Sequence, residues 1–232
     1  MKLRQHLRRP FILSTVASAA VALFLAAAPS WAATLRNVRI FFEYNSTDGD
    51  LGVQVFLDGD AWRSLTIADP AGTPILQMDA NGALGVLGLT ELFWESHEPS
   101  PEEVLSLFPA GQYEFMVVGV EGDQVIGSAT LSHALPQPAV VLSPEEDGSV
   151  DPDAATITWS HPQPRRLAGF EVIVENVTAG VQRASFTLPS SATSVRIAPE
   201  ALAGPGRSFK LEVLAVSTNG NKTIVEVPFT TR

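Results

Sequence analysis

From Thr156 to the C-terminus, apolar side chains recur at every second position in short runs, and turn-forming residues separate the runs. Ile157 and Trp159 alternate with Thr156, Thr158 and Ser160, and Phe170, Val172 and Val174 alternate with Glu171, Ile173 and Glu175. Phe186 with Leu188 and Val195 with Ile197 continue the pattern. Phe209, Leu211, Val213 and Ala215 then share a face, Asn219-Gly220 offers a hairpin turn, and Ile224 to Phe229 returns. A period of two puts one apolar face on an extended chain, and short strands of this kind recurring between turn-formers have the spacing of a β-sandwich. The expectation is an all-β chain built as sandwiches. It contains no cysteine, so a fold of this kind rests on core burial rather than disulfides, and thiol chemistry and Cys-ligated zinc are excluded.

The first residues differ. Lys2, Arg4, Arg8 and Arg9 precede an apolar run from Phe11 to Ala28, which Pro29 closes, and Ser30-Trp31-Ala32 sets small residues at positions −3 and −1. This is the layout of an export signal over residues 1–32, with Ala33 opening the mature chain. An uncleaved membrane anchor is the competing reading of so long an apolar run. Arg8-Arg9-Pro10-Phe11-Ile12-Leu13 also resembles a twin-arginine signal, although Leu7 precedes the pair. Four of the fifteen basic residues and none of the twenty-five acids lie in this segment, which leaves the remainder with a net charge of −14. That charge repels phosphate backbones and anionic lipid, so nucleic-acid and membrane partners are not expected after cleavage; a secreted or periplasmic location is.

Ala134-Leu135-Pro136-Gln137-Pro138 breaks the composition, because two prolines remove backbone donors and impose extended φ/ψ. It divides the mature chain into 33–133, a linker over 134–138, and 139–232. Within the last part, Pro144, Thr158-Trp159-Ser160, Gly169-Phe170-Glu171-Val172, Leu202, Phe209 to Val216 and Phe229-Thr230-Thr231 fall in the order seen in fibronectin type III domains, which this part resembles. The resemblance implies an immunoglobulin-like, seven-stranded Greek-key sandwich with Trp159 in its core. Phe209 stands where that family usually carries a tyrosine whose hydroxyl bonds to the preceding loop. No Arg-Gly-Asp tripeptide occurs, so the integrin contact of some members does not carry over.

The N-terminal part also reads as a β-sandwich. Gly111 to Val120 can be laid on Gly206 to Val216, which makes Tyr113 a corner tyrosine before a terminal hairpin. Upstream, Leu35–Tyr44, Leu51–Leu57, Trp62–Ile67 and Ile75–Met78 read as strands bounded by Asp-Gly and Pro-Ala-Gly turns. Ser100 as N-cap, Pro101 at the first helical position and Glu102-Glu103 in the first turn predict one short inserted helix through Val104 to Phe108. Thr90 to Pro101 lacks alternation and reads as an irregular, outward segment. The acidic stretch Glu43 to Asp50, with Gly88 to Glu91 and Glu95-Ser96, resembles a leader domain that precedes fibronectin-like domains in exported bacterial proteins; that resemblance implies no activity.

Two groups are candidates for ligand chemistry. Glu43, Asn45, Asp48 and Asp50, with Asp58 and Asp60 further on, are oxygen ligands of the type that calcium prefers, and calcium is the candidate cation; their spacing is not that of an EF-hand, and Asp-Gly pairs also serve as plain turn residues. Trp94, Glu95 and His97 form the second group, in which an indole face suits a sugar ring and a Glu/His pair suits a metal or a proton. The competing reading has Leu92, Phe93 and Trp94 closing the sandwich while the acids solvate its edge. Trp62, near the start of a strand, reads as core. No His-x-x-x-His, Gly-x-Ser-x-Gly or Gly-rich phosphate motif is present. A non-enzymatic interaction or adhesion module with a protein or glycan partner is therefore expected, with a calcium-dependent carbohydrate-binding accessory protein as the alternative and a small hydrolase third.

Overall fold

The computed structural model describes residues 34–202 and 204–232; the expected export signal over 1–32 and the expected mature start at Ala33 lie outside the described residues. The first part comprises β1 (Leu35–Asn45), β2 (Asp50–Ala68), β3 (Pro74–Asp79), α1 (Gly82–Leu87), β4 (Leu89–Glu95), α2 (Pro101–Leu107), β5 (Gly111–Gly119) and β6 (Gln124–Leu131). The second comprises β7 (Val140–Ser143), β8 (Gly148–Val150), β9 (Thr156–Ser160), β10 (Leu167–Asn176), β11 (Val181–Pro189), β12 (Ser194–Arg196), α3 (Pro199–Leu202), β13 (Ser208–Ser217) and β14 (Lys222–Thr231). The chain is an all-β sandwich protein, as its alternation requires.

The chain over 50–68 departs from expectation. Asp58-Gly59-Asp60 does not turn, and the two strands foreseen on either side are the single strand β2. The hydrogen bonds a turn would use go instead to β1. Arg36 holds Asp58 at 3.1 Å, Asp60 at 2.6 Å and the Gly59 carbonyl at 2.6 Å, and the Asp60 N–H donates to the Thr34 carbonyl at 2.9 Å. A Cβ at Gly59 would meet that carbonyl at 2.8 Å, so only glycine admits the crossing. Beyond it β2 changes partners: its first stretch lies between β1 and β4, its last between β3 and β5. Val53, Val55 and Leu57 from one stretch and Leu65 and Ile67 from the other enter the same buried cluster, with Phe42, Trp62, Tyr113 and Phe115.

Of the segment expected to be irregular, Thr90 to Pro101, the first half is a strand, while 96–100 have no regular structure, as expected. β4 pairs with β2 from Leu89 to Glu95, with Leu92 and Trp94 half-buried against the core and Phe93 turned outward. An apolar residue on the outer face conceals the alternation that a polar one would display. The inserted helix α2 forms where its cap places it, with Ser100 accepting the Glu103 N–H at 3.4 Å and Val104 buried. A second helix, α1, was not foreseen; none of its residues is buried.

In the second part β12-β9-β7 form one sheet and β11-β10-β13-β14 run consecutively in the other. Between them lies a second buried cluster in which Trp159 meets the edge of Phe170 at 5.5 Å, with Ile157, Val172, Phe209 and Val213 around them.

The two parts are joined by more than the chain. β14 pairs in parallel with the end of β1, Glu43 opposite Lys222 and Asn45 opposite Ile224, which makes one continuous sheet of both. Asn221 is fully buried at this seam. Its Nδ2 donates to the carbonyls of Ser132 at 2.7 Å and Ala134 at 3.1 Å, and its Oδ1 accepts the Phe42 N–H at 3.0 Å. Thr223 Oγ1 donates to the Pro136 carbonyl at 2.8 Å, and the Glu226 N–H donates to Thr47 Oγ1 at 2.9 Å. Two residues of the proline-rich stretch lack a backbone donor, and the carbonyls of Ala134 and Pro136 are held by side chains of β14 and its turn.

Candidate functional site

The two groups singled out in the sequence meet in part on the outer face of the β4-β2-β1-β14 sheet. Glu43 projects from β1, Asp50 opens β2, and Glu95 ends β4, beside Gln54 whose Nε2 donates to it at 3.1 Å. Glu98 lies across Gly52, where a Cβ would stand 3.0 Å from Glu98 Cγ, so glycine makes room for that carboxylate. Oxygens of Glu43, Glu95 and Glu98 come within 4.8 Å of one another. A cleft of about 530 Å³, lined by Asp50, Glu95, Ser96, His97 and Glu98, opens beside them. Hard oxygen donors at this separation suit a divalent cation or a shared proton.

Lys222 supplies a positive charge from within the fold, its ammonium 3.5 Å from Glu43 and 2.8 Å from Glu171. The Glu43 side chain retains 12% exposure. Burial pushes its carboxyl up to about 7 against the opposing pull of Lys222, and the neighbouring Glu95 charge adds to the rise. Glu98 is raised as well, by burial first and then by Glu95 and Asp50. One oxygen of Asp50 is buried without a hydrogen-bond partner.

The other foreseen ligands are engaged elsewhere. Asn45 Oδ1 accepts the N–H groups of Thr47 at 3.0 Å and Asp48 at 3.3 Å, while its Nδ2 donates to Asp48 Oδ2 at 3.1 Å. These two residues close their own turn, an Asx geometry, and the four-residue calcium set drawn from the sequence is not brought together. Asp58 and Asp60 hold Arg36. Trp94 points away from Glu95 and His97, toward the core, because successive strand residues face opposite sides. Ser96 Oγ donates to the His97 carbonyl at 2.8 Å and accepts the Val53 N–H at 3.0 Å, so it is no free nucleophile. Sequence reasoning missed Lys222; its only signal was being one of two lysines after residue 33.

No family model matches the chain, and no curated protein is similar to it in sequence. Among solved structures it is similar to a 1.5-MDa bacterial ice-binding adhesin, at 15% identity and a TM-score of 0.26 over 84% of this chain and 63% of that one. The tetra-tandem repeat in the extending region of a large adhesion protein gives 16% and 0.28, over 84% of this chain and 50% of the other. Dimeric latent PorU from Porphyromonas gingivalis gives 12% and 0.31, over 86% and 20%. The chain thus spans less than two thirds of each of these solved chains. Among the described residues no helix is long and apolar enough to cross a membrane.

Proposed function

We propose that the chain is a non-enzymatic, extracytoplasmic interaction or adhesion module. In this reading residues 33–133 and 139–232 are two sandwiches locked into one scaffold, and 134–138 is the fixed connection between them. The observation that carries it is the seam at Asn221, where a buried side chain and a parallel strand pair fasten the second part to the first. A spacer that must present surfaces at fixed separation requires such a seam. Sheets of three and four strands around Trp159 support a fibronectin type III or immunoglobulin-like assignment for the second part. In this reading residues 1–32 act as an export signal, and the module works in the periplasm or outside the cell.

A second reading makes binding calcium-dependent and directed to glycans. It is favoured by the three carboxylates within 4.8 Å and the unpartnered oxygen of Asp50. Glu43, Asp50, Glu95 and Glu98 would be the ligands, with His97 at the rim; Lys222 competes for the same charge. Probing glycan and peptide arrays with residues 33–232, with calcium and with chelator, separates the readings. Capture indifferent to chelator supports the first. Glycan capture that chelator and Glu95→Gln both abolish supports the second, and turnover of a substrate would contradict both.

A further inference from the structure

Among the described residues β4 is hydrogen-bonded to one strand only, β2, so its other edge presents unpaired backbone groups. Native proteins guard such edges with charge or cover them. On the outer face of β4 the order is Glu91, Phe93, Glu95, and all three are exposed, Phe93 at 55%. Two residues along a strand is about 7 Å, so a large apolar ring stands between two carboxylates at the spacing of side chains on a neighbouring strand. Behind Phe93 in the same cross-strand row lie Phe56 and then Arg39, whose guanidinium sits 4.7 Å from the Phe56 ring centre. The row is therefore apolar at the edge and closed by a cation at its inner end.

We propose that the free edge of β4 is a docking site for an extended basic segment of another protein, added as a further strand, with a cation, an apolar residue and a cation at alternate positions. This rests on the interaction-module reading and names the surface and the chemistry of the partner. Directly opposed side chains on neighbouring strands interact most strongly, and opposite charges stabilise the pair while like charges oppose it. Lysine or arginine against Glu91 and Glu95, and an aliphatic residue against Phe93, satisfies all three positions at once, while backbone pairing provides affinity. A second copy of this chain does not fit: laid antiparallel with Phe93 on Phe93, it sets Glu91 against Glu95. The acids that protect the edge from self-association are thus the ones that select a basic strand.

The test is an NMR titration of residues 33–232 with the synthetic peptide Thr-Lys-Val-Leu-Val-Lys-Thr. The expected result is saturable binding with shifts concentrated in residues 89–95 and in the β2 residues opposite them. Phe93→Ser, at an exposed position, should weaken binding about tenfold, and Glu91→Lys with Glu95→Lys should abolish it while admitting the analogue with glutamates for lysines. A peptide N-methylated at alternate residues should not bind, since it cannot pair with the edge. Absence of binding at millimolar peptide, equal binding of the methylated peptide, or indifference to Phe93→Ser would each overturn the proposal. If the array capture described above persists in such a case, the interaction reading stands and the edge of β4 alone is excluded.

Discussion

Tyr113 is wholly buried, and its hydroxyl donates to the Pro109 carbonyl at 3.0 Å. Burial, with a contribution from Asp69, pushes that hydroxyl up to about 12, so it remains a donor at any physiological pH. Tyr113→Phe should cost about 1 kcal/mol in denaturant unfolding, the net worth of one such bond. This corner was legible because Gly111 to Val120 could be laid on the second part, where Phe209 occupies the matching place and stacks on Phe229 at 5.4 Å instead. Trp159 was legible as core because it alternates with Ile157, and Trp62 read as core from its place near the start of a strand. Trp94 was not, since Phe93 beside it is equally apolar and hides which of the two faces inward. With the indole packed against the core and its Nε1 buried without a partner, Trp94→Ala should lower stability by about 2–4 kcal/mol, read as a shift in the urea midpoint. A stability loss near zero would place Trp94 outside the core.

At the scale of elements, strand existence was readable from the period and strand continuity was not. Asp58-Gly59-Asp60 has turn composition, and partners over twenty residues away in sequence, among them Arg36, Thr34 and the neighbouring strands, keep it extended. Likewise α2 announced itself through Ser100 and Pro101, whereas α1, with glycines at 82 and 85 and no N-cap side-chain bond, carried no such signal. The carboxylate cluster joins β1, β4 and the loop after it to β14, and its protonation is linked to stability. Glu43 holds its proton up to about 7 in the folded state, against the usual 4.5. Between those values the folded chain binds more protons than the unfolded one, so stability is highest below about pH 4.5 on this group's account and declines as pH rises through 7. Urea unfolding at pH 5 and pH 8 should show that decline, of order 2 kcal/mol, and Glu43→Gln should remove it. The direction opposes that of an ordinary salt-bridged glutamate, which makes the comparison decisive.

For the molecule as a whole, the seam between the two parts was the least legible feature. Phe42 and Asn221 are 179 residues apart in the chain, and nothing in the local pattern of either foretells their bond. The prolines over Ala134 to Pro138 suggested a linker, but nothing in the sequence shows that Asn219, Asn221 and Thr223 hold the carbonyls there. Asn221→Ala strands the Phe42 N–H and the Ser132 carbonyl at the seam, and should cost about 3 kcal/mol; in calorimetry it should also turn one unfolding transition into two. The central claim is that the sandwiches form a single rigid scaffold. Residual dipolar couplings of weakly aligned residues 33–232 test it most directly. The account predicts that one alignment tensor fits the amides of 35–131 and of 140–231 together; two tensors of different magnitude, with the halves reorienting independently, would contradict it.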